Sequence, residues 1–256
     1  MDYNLRPLWD AILDLYERFD AYCKKHGLRY YVTGGTLLGA VRHNGFIPWD
    51  DDFDVVMPRP DYIRLIKRFA TDGIVNTRLL IAEDSHEWKE LFAKLCEVRK
   101  DVISKVQEDS KLSLSDGICI DIIPIDGMPR ATIPFYYWAL KRSTWRHKAS
   151  KNPIWRLLFS LLWGKAGSSV AAFERWLASY DYESSPCVED YNADGPRFKL
   201  RAMNAKSFGK PVMHEFDRVF VPMPWEYEKF LSIIFGCNYM QLPPIEKRVP
   251  SHQFFQ

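Results

Sequence analysis

The chain has 256 residues, 27% charged and 47% hydrophobic, enough for one large α/β core or a core with a helical extension. Its net charge of +2 argues against a general nucleic-acid binder, and no apolar run approaches the roughly 20 residues that a membrane-spanning helix needs. The five scattered Cys contain no C-x-x-C pair and suggest neither a disulfide framework nor a zinc site. With no signal pattern in MDYNLRPLWD, the composition reads as cytoplasmic.

Leu8, Trp9, Ile12, Leu15, Tyr16, Phe19 and Cys23 recur at helical spacing, and Gly27 follows as a stop signal. Leu28 to Val32 reads as a short strand that runs into Thr33-Gly34-Gly35-Thr36, and Leu37 to His43 as a short helix opened by those glycines. Asn44-Gly45 marks a turn. Phe53 to Met57 is a second strand, closed by Pro58 and Pro60, and Asp61 to Ala70 a second amphipathic helix. Further strands are expected at Arg78 to Ile81, Leu91 to Val98, Val102 to Val106 and Ile118 to Ile123, and a late helix at Glu226 to Phe235. The order predicts an α+β domain with a mixed sheet.

Between Gly127 and Phe173 there is no acidic residue, while Arg130, Lys141, Arg142, Arg146, Lys148, Lys151, Arg156 and Lys165 are basic and four Trp fall among them. This stretch is read as a helical, basic and aromatic insertion. One face of it suits an anionic membrane surface, although a helical core with a solvated basic face explains the same composition. The organisation expected is a single domain: a core over 5–127, the basic segment over about 130–178, and a C-terminal segment over 179–256.

The chemistry concentrates in Trp49-Asp50-Asp51-Asp52-Phe53-Asp54. Side chains alternate along a strand, so Asp52 and Asp54 are expected on one face while Phe53 and Val55 enter the core. Two carboxylates so placed make a hard oxygen site for Mg²⁺ or Mn²⁺. Asp121, inside the apolar run Ile118 to Ile123, is a third acid that needs a partner if buried, and a shared metal would supply it. Each signal alone has a plainer explanation: Asp50-Asp51 as a solvated turn, Asp121 as a hydrogen-bonded strand residue. Gly34 and Gly35 at a strand-to-helix junction, followed by Thr36, offer backbone N–H groups to a phosphate, or else simply allow a tight turn. Arg42 could hold a phosphate in two parallel hydrogen bonds or bridge to Asp50 or Asp51. Lys94, in the mainly apolar Leu91 to Leu95, is a further candidate ligand, and His43 is read as surface.

The uninterrupted run from Gly34 to Asp54, GGTLLGAVRHNGFIPWDDDFD, strongly resembles the signature of the LicD family, grouped with fukutin in the nucleotidyltransferase fold superfamily. Phe92-Ala93-Lys94-Leu95, Gly117 to Gly127, and Leu242 to Arg248 with His252 resemble further parts of that family's pattern. The resemblance implies transfer of a phosphorylated alcohol, best known as phosphocholine, from a CDP-linked donor to a glycan or lipid-linked glycan precursor at the inner face of the membrane. It assigns metal binding to Asp52, Asp54 and, less directly, Asp121. It places Asp50, Lys247, Arg248 and His252 among substrate-binding residues. Two other readings stand beside it: a nucleotidyltransferase that releases pyrophosphate, and a non-catalytic glycan-binding protein.

Overall fold

A computed structural model describes residues 4–81, 92–110, 117–128, 178–190 and 203–250. The expected basic segment over 130–178 falls almost wholly outside these, as does His252. Among the described residues no helix is long and apolar enough to cross a membrane.

The helical stripe of the first segment becomes α1, Arg6–His26, with Leu8, Ile12, Leu15, Tyr16, Phe19 and Cys23 all buried. Gly27 ends it in the left-handed conformation at φ 59° and returns its N–H to the Cys23 and Lys24 carbonyls, the capping that only glycine adopts without strain. After β1 (Tyr31–Val32) come α2 (Gly34–His43), β2 (Asp54–Pro58), α3 (Arg59–Asp72), β3 (Thr77–Leu80) and β4 (Ala93–Glu97). Then follow α4 (Lys100–Ser110), β5 (Cys119–Met128) and β6 (Cys187–Asp190). The chain closes with a one-turn α5 (Ala205–Phe208), a hairpin of β7 (Val212–Phe216) and β8 (Val219–Met223), and α6 (Tyr227–Phe235).

Among the described residues, six strands form one mixed sheet in the order β1-β2-β5-β4-β3, with β6 on the later half of β5. Strand β2 runs parallel to β5, and β4 antiparallel to it, so the long apolar β5 is flanked on both sides. The α+β expectation is met.

One expected strand is a helix. Val102 to Val106 lies inside α4, where β-branched residues suggested a strand. Val102, Ile103 and Val106 also fall on one helical face, and packing that face against α1 outweighs the propensity. The cysteine reading also needs correction. Cys96 and Cys119 form a disulfide, because the antiparallel β4–β5 register sets them directly opposite across a sequence separation of 23 residues.

At the end of β4, buried Glu97 accepts hydrogen bonds from Arg18 Nη2 at 2.6 Å and Arg99 Nη2 at 2.7 Å, and from the Val98 and Arg99 backbone N–H groups, each at 3.0 Å. Burial alone would raise its pKa, but the Arg99 and Arg18 contacts win and hold it near 2, against an ordinary 4.5. A depressed carboxylate stabilises the fold fully above its unfolded pKa and loses that contribution as pH falls toward the folded value. Glu97→Gln should therefore lower stability by about 2–3 kcal/mol at pH 7. In urea titrations the gap to wild type should hold from pH 8 to 5 and narrow below that; a gap independent of pH would contradict the ion-pair account.

Candidate active site

Strand register assembles the site. Asp54, the first residue of β2, pairs with Asp121 of β5, and Asp121 pairs in turn with Lys94 of β4. Two carboxylates and an ammonium thus stand in a row across three adjacent strands, with Lys94 Nζ 3.2 Å from Asp121 Oδ1. The apolar neighbours Phe53, Val55, Ala93, Leu95, Ile120 and Ile122 are buried and fix that register, because a slip of one residue would invert every one of them.

The acidic loop brings three more carboxylates to the row. Asp50, Asp51 and Asp52 each offer an oxygen within 4.8 Å of the others. Phe53 and Val55 enter the core as alternation requires, but Asp52 lies ahead of the strand and is exposed. Asp51 is the member that sequence reasoning missed. Read as a solvated turn, it is 4% exposed and shares a cavity of ≈ 20 Å³ with Asp52, Lys94, Gly117, Cys119 and Asp121. Nothing in the local pattern separates it from its two neighbours; only the chain reversal between α2 and β2 turns it inward.

Glycines at the start of α2 let this loop approach. A Cβ on Gly34, whose φ is +56°, would stand 2.9 Å from Asp54 Oδ2, and one on Gly35 would stand 2.5 Å from Asp50 Oδ2. The two carboxylates therefore lie against the N-terminal turn of α2, where the helix dipole favours negative charge. Thr36 is buried and its hydroxyl accepts the Asp54 backbone N–H at 2.8 Å, which places Thr36 beneath the site as a support for β2.

Crowded acids resist ionisation. Burial raises Asp54 well above its usual range, the Asp121, Asp52 and Asp50 charges add to the effect, and Lys94 offsets it in part. Burial and the charges of Asp52 and Asp51 push Asp50 up to about 7, although backbone N–H groups of both neighbours pull it back. A donor set made only of carboxylate oxygens, with mutual repulsion to relieve, fits a hard divalent cation such as Mg²⁺.

Residues 27–126 match the sequence profile described as LicD/FKTN/FKRP, nucleotidyltransferase domain. Over those residues the chain is LicD-like. Across 97% of this chain and 96% of the relative, it is 26% identical to the lipopolysaccharide cholinephosphotransferase LicD of Haemophilus influenzae. A 29-residue stretch, 11% of this chain and 6% of the relative, is 59% identical to the ribitol 5-phosphate transferase FKRP of mouse and of human. An uncharacterized Rickettsia prowazekii protein, RP689, is 51% identical over 41 residues, 16% of this chain and 15% of that one.

The remaining expected site residues lie at the other end of α2. Arg42 does not bridge to Asp50 or Asp51; its Nη1 donates to the carbonyls of Tyr239 at 2.9 Å and Gln241 at 3.3 Å. His43, read as surface, is half-buried, its ring nearly perpendicular to that of Trp49 with centroids 6.4 Å apart. Lys247 is exposed in a short 3-10 turn, and Arg248 lies over the Trp49 ring.

Proposed function

We propose that this chain transfers a phosphorylated alcohol, phosphocholine foremost, from a CDP-linked donor to a hydroxyl of a cell-surface glycan precursor, with CMP released. That it is a phosphotransferase follows from its relationship to the LicD and FKRP transferases. The observation that carries the reading is the Asp54–Asp121–Lys94 row, set by strand pairing beside three further carboxylates. No nucleophilic Ser or Cys is needed, because phosphoryl transfer of this kind rests on positioning and charge stabilisation.

Asp52, Asp54 and Asp121 would hold Mg²⁺ or Mn²⁺, which when bound neutralises charge on the transferring phosphate. The acceptor hydroxyl attacks the phosphorus that bears the alcohol, and the bond from that phosphorus to the oxygen bridging to CMP breaks. Asp121 completes that cation site or takes the hydroxyl proton, and Lys94 Nζ, 3.2 Å from its Oδ1, holds it in position. Lys94 also supplies positive charge at the edge of the acid cluster, where the donor's phosphate oxygens arrive.

The test is a thermal-shift screen of CDP-choline, CDP-glycerol, CDP-ribitol and NTPs with Mg²⁺, followed by chromatography of products formed with a glycan acceptor. CDP-choline should stabilise the protein and give CMP without pyrophosphate. Stabilisation by NTPs alone, with pyrophosphate appearing, would overturn the reading. A different CDP-alcohol would keep the chemistry and change the transferred group.

A further inference from the structure

Gly35 and Arg42 are seven residues apart on α2, which puts them on one face of the helix, two turns or about 10 Å from each other. The loop after α2 runs back along that face. A Cβ on Gly39 would stand 2.5 Å from the Gly45 carbonyl oxygen, as one on Gly35 would from Asp50. The face therefore has an acidic end at Gly35 and Asp50 and a basic end at Arg42, and Trp49 belongs to the loop that joins them.

The basic end is built by the C-terminal segment. Arg42 Nη1 is held by the Tyr239 and Gln241 carbonyls, and its Nε reaches His43 Nδ1 at 3.4 Å. Arg248 Nε donates to the Pro243 carbonyl at 2.8 Å, and its guanidinium carbon lies 5.6 Å above the Trp49 ring. Among the described residues neither arginine meets a carboxylate, and Arg42 Nη2 and both Nη atoms of Arg248 have no acceptor. Both arginines reach carbonyls of the same short segment, Tyr239 and Gln241 for Arg42 and Pro243 for Arg248, and after burial the charge of Arg248 is what holds Arg42 below its ordinary range. Two partly buried guanidiniums fixed by neutral carbonyls, with three nitrogens still free to donate, form a fork for an oxyanion.

We propose that Arg42 and Arg248 form an anion subsite that receives a phosphate or carboxylate group carried by the acceptor glycan. The proposal rests on the transferase reading above. The donor's two phosphates are adjacent and belong at the acidic end. Beyond them lie an uncharged nucleoside on one side and an alcohol, cationic in the case of choline, on the other. Neither supplies an anion about 10 Å along the helix face. The acceptor is the component that can, and anchoring its anionic group there determines which hydroxyl meets the row of Asp54, Asp121 and Lys94. Arg248, with both Nη atoms free, is the specificity residue; Arg42 also holds the C-terminal segment in place.

Binding of glucose 6-phosphate, inorganic phosphate and glucose by calorimetry, in buffer freed of divalent ions by resin, tests this. Chelators are avoided because their carboxylates would compete. Glucose 6-phosphate and phosphate should bind and displace each other, and glucose should not bind. Arg248→Ala should weaken the two anions by at least about tenfold, with Arg248→Lys between it and wild type. Far-UV circular dichroism and an unchanged melting temperature confirm that Arg248→Ala remains folded. Equal anion binding in wild type and Arg248→Ala, or glucose binding as well as its phosphate, would overturn the subsite. Since donor and metal are both absent, a chain found to use an NTP would end the CDP-alcohol reading and leave this measurement valid.

Discussion

Asp54→Ala is expected to reduce transfer to below about one per cent of wild type, a loss of roughly 2.7 kcal/mol or more in transition-state stabilisation. The melting temperature without metal should hold or rise. Both halves follow from position. Asp54 begins β2, lies opposite Asp121, and touches the space left by Gly34. It is crowded by the charges of Asp121, Asp52 and Asp50, and burial withholds the water that would otherwise screen them. Removing one such charge relieves the fold and removes a ligand from the proposed cation. Added Mg²⁺ should therefore raise the melting temperature of wild type and leave the variant unmoved. An Asp52→Ala/Asp54→Ala double variant that kept more than a few per cent of activity would sink the metal assignment, as would equal Mg²⁺ stabilisation of variant and wild type.

Helix α1 was legible to within two residues, because a stripe of six buried apolar positions and a left-handed glycine leave no other reading. The row of Asp54, Asp121 and Lys94 was legible as three separate candidates. That they stand side by side depends on a parallel pairing of β2 with β5 and an antiparallel pairing of β4 with β5, which no local pattern encodes. The β7–β8 hairpin was missed for a related reason. Its turn is Asp217-Arg218, not one of the Gly-containing pairs that announce a tight turn. Asp217 takes φ 54° because distant groups hold it: its N–H donates to the Asn44 carbonyl at 2.7 Å, and Arg6 grips its carboxylate at 2.6 Å. Asp51 and the Cys96–Cys119 pair belong to the same class, set by chain reversal and register and not by the residues beside them.

The pairing that creates the site has its own anchor, and breaking it should be the most destabilising single change. Arg59 follows β2 directly, and Asp126 lies on β5 five residues beyond Asp121. Arg59 Nε and Nη2 each donate to an oxygen of Asp126 at 2.6 Å, with both side chains almost wholly excluded from water. The pair closes the far end of a parallel ladder whose near end is Asp54 opposite Asp121. Taking two charges out of water is costly, and the fork geometry offsets that cost only while both partners are present. Arg59→Ala leaves a buried carboxylate without its partner and should cost about 3–5 kcal/mol in urea denaturation at pH 7. Arg59→Met combined with Asp126→Leu removes both charges and should recover a large part of that loss. Where the single variant still folds, its activity should fall along with its stability, because β2 can then shift against β5 and separate Asp54 from Asp121. In the double variant, activity should return in step with stability. A single variant no less stable than wild type, or a double variant worse than the single one, would show that the ladder does not depend on this clamp.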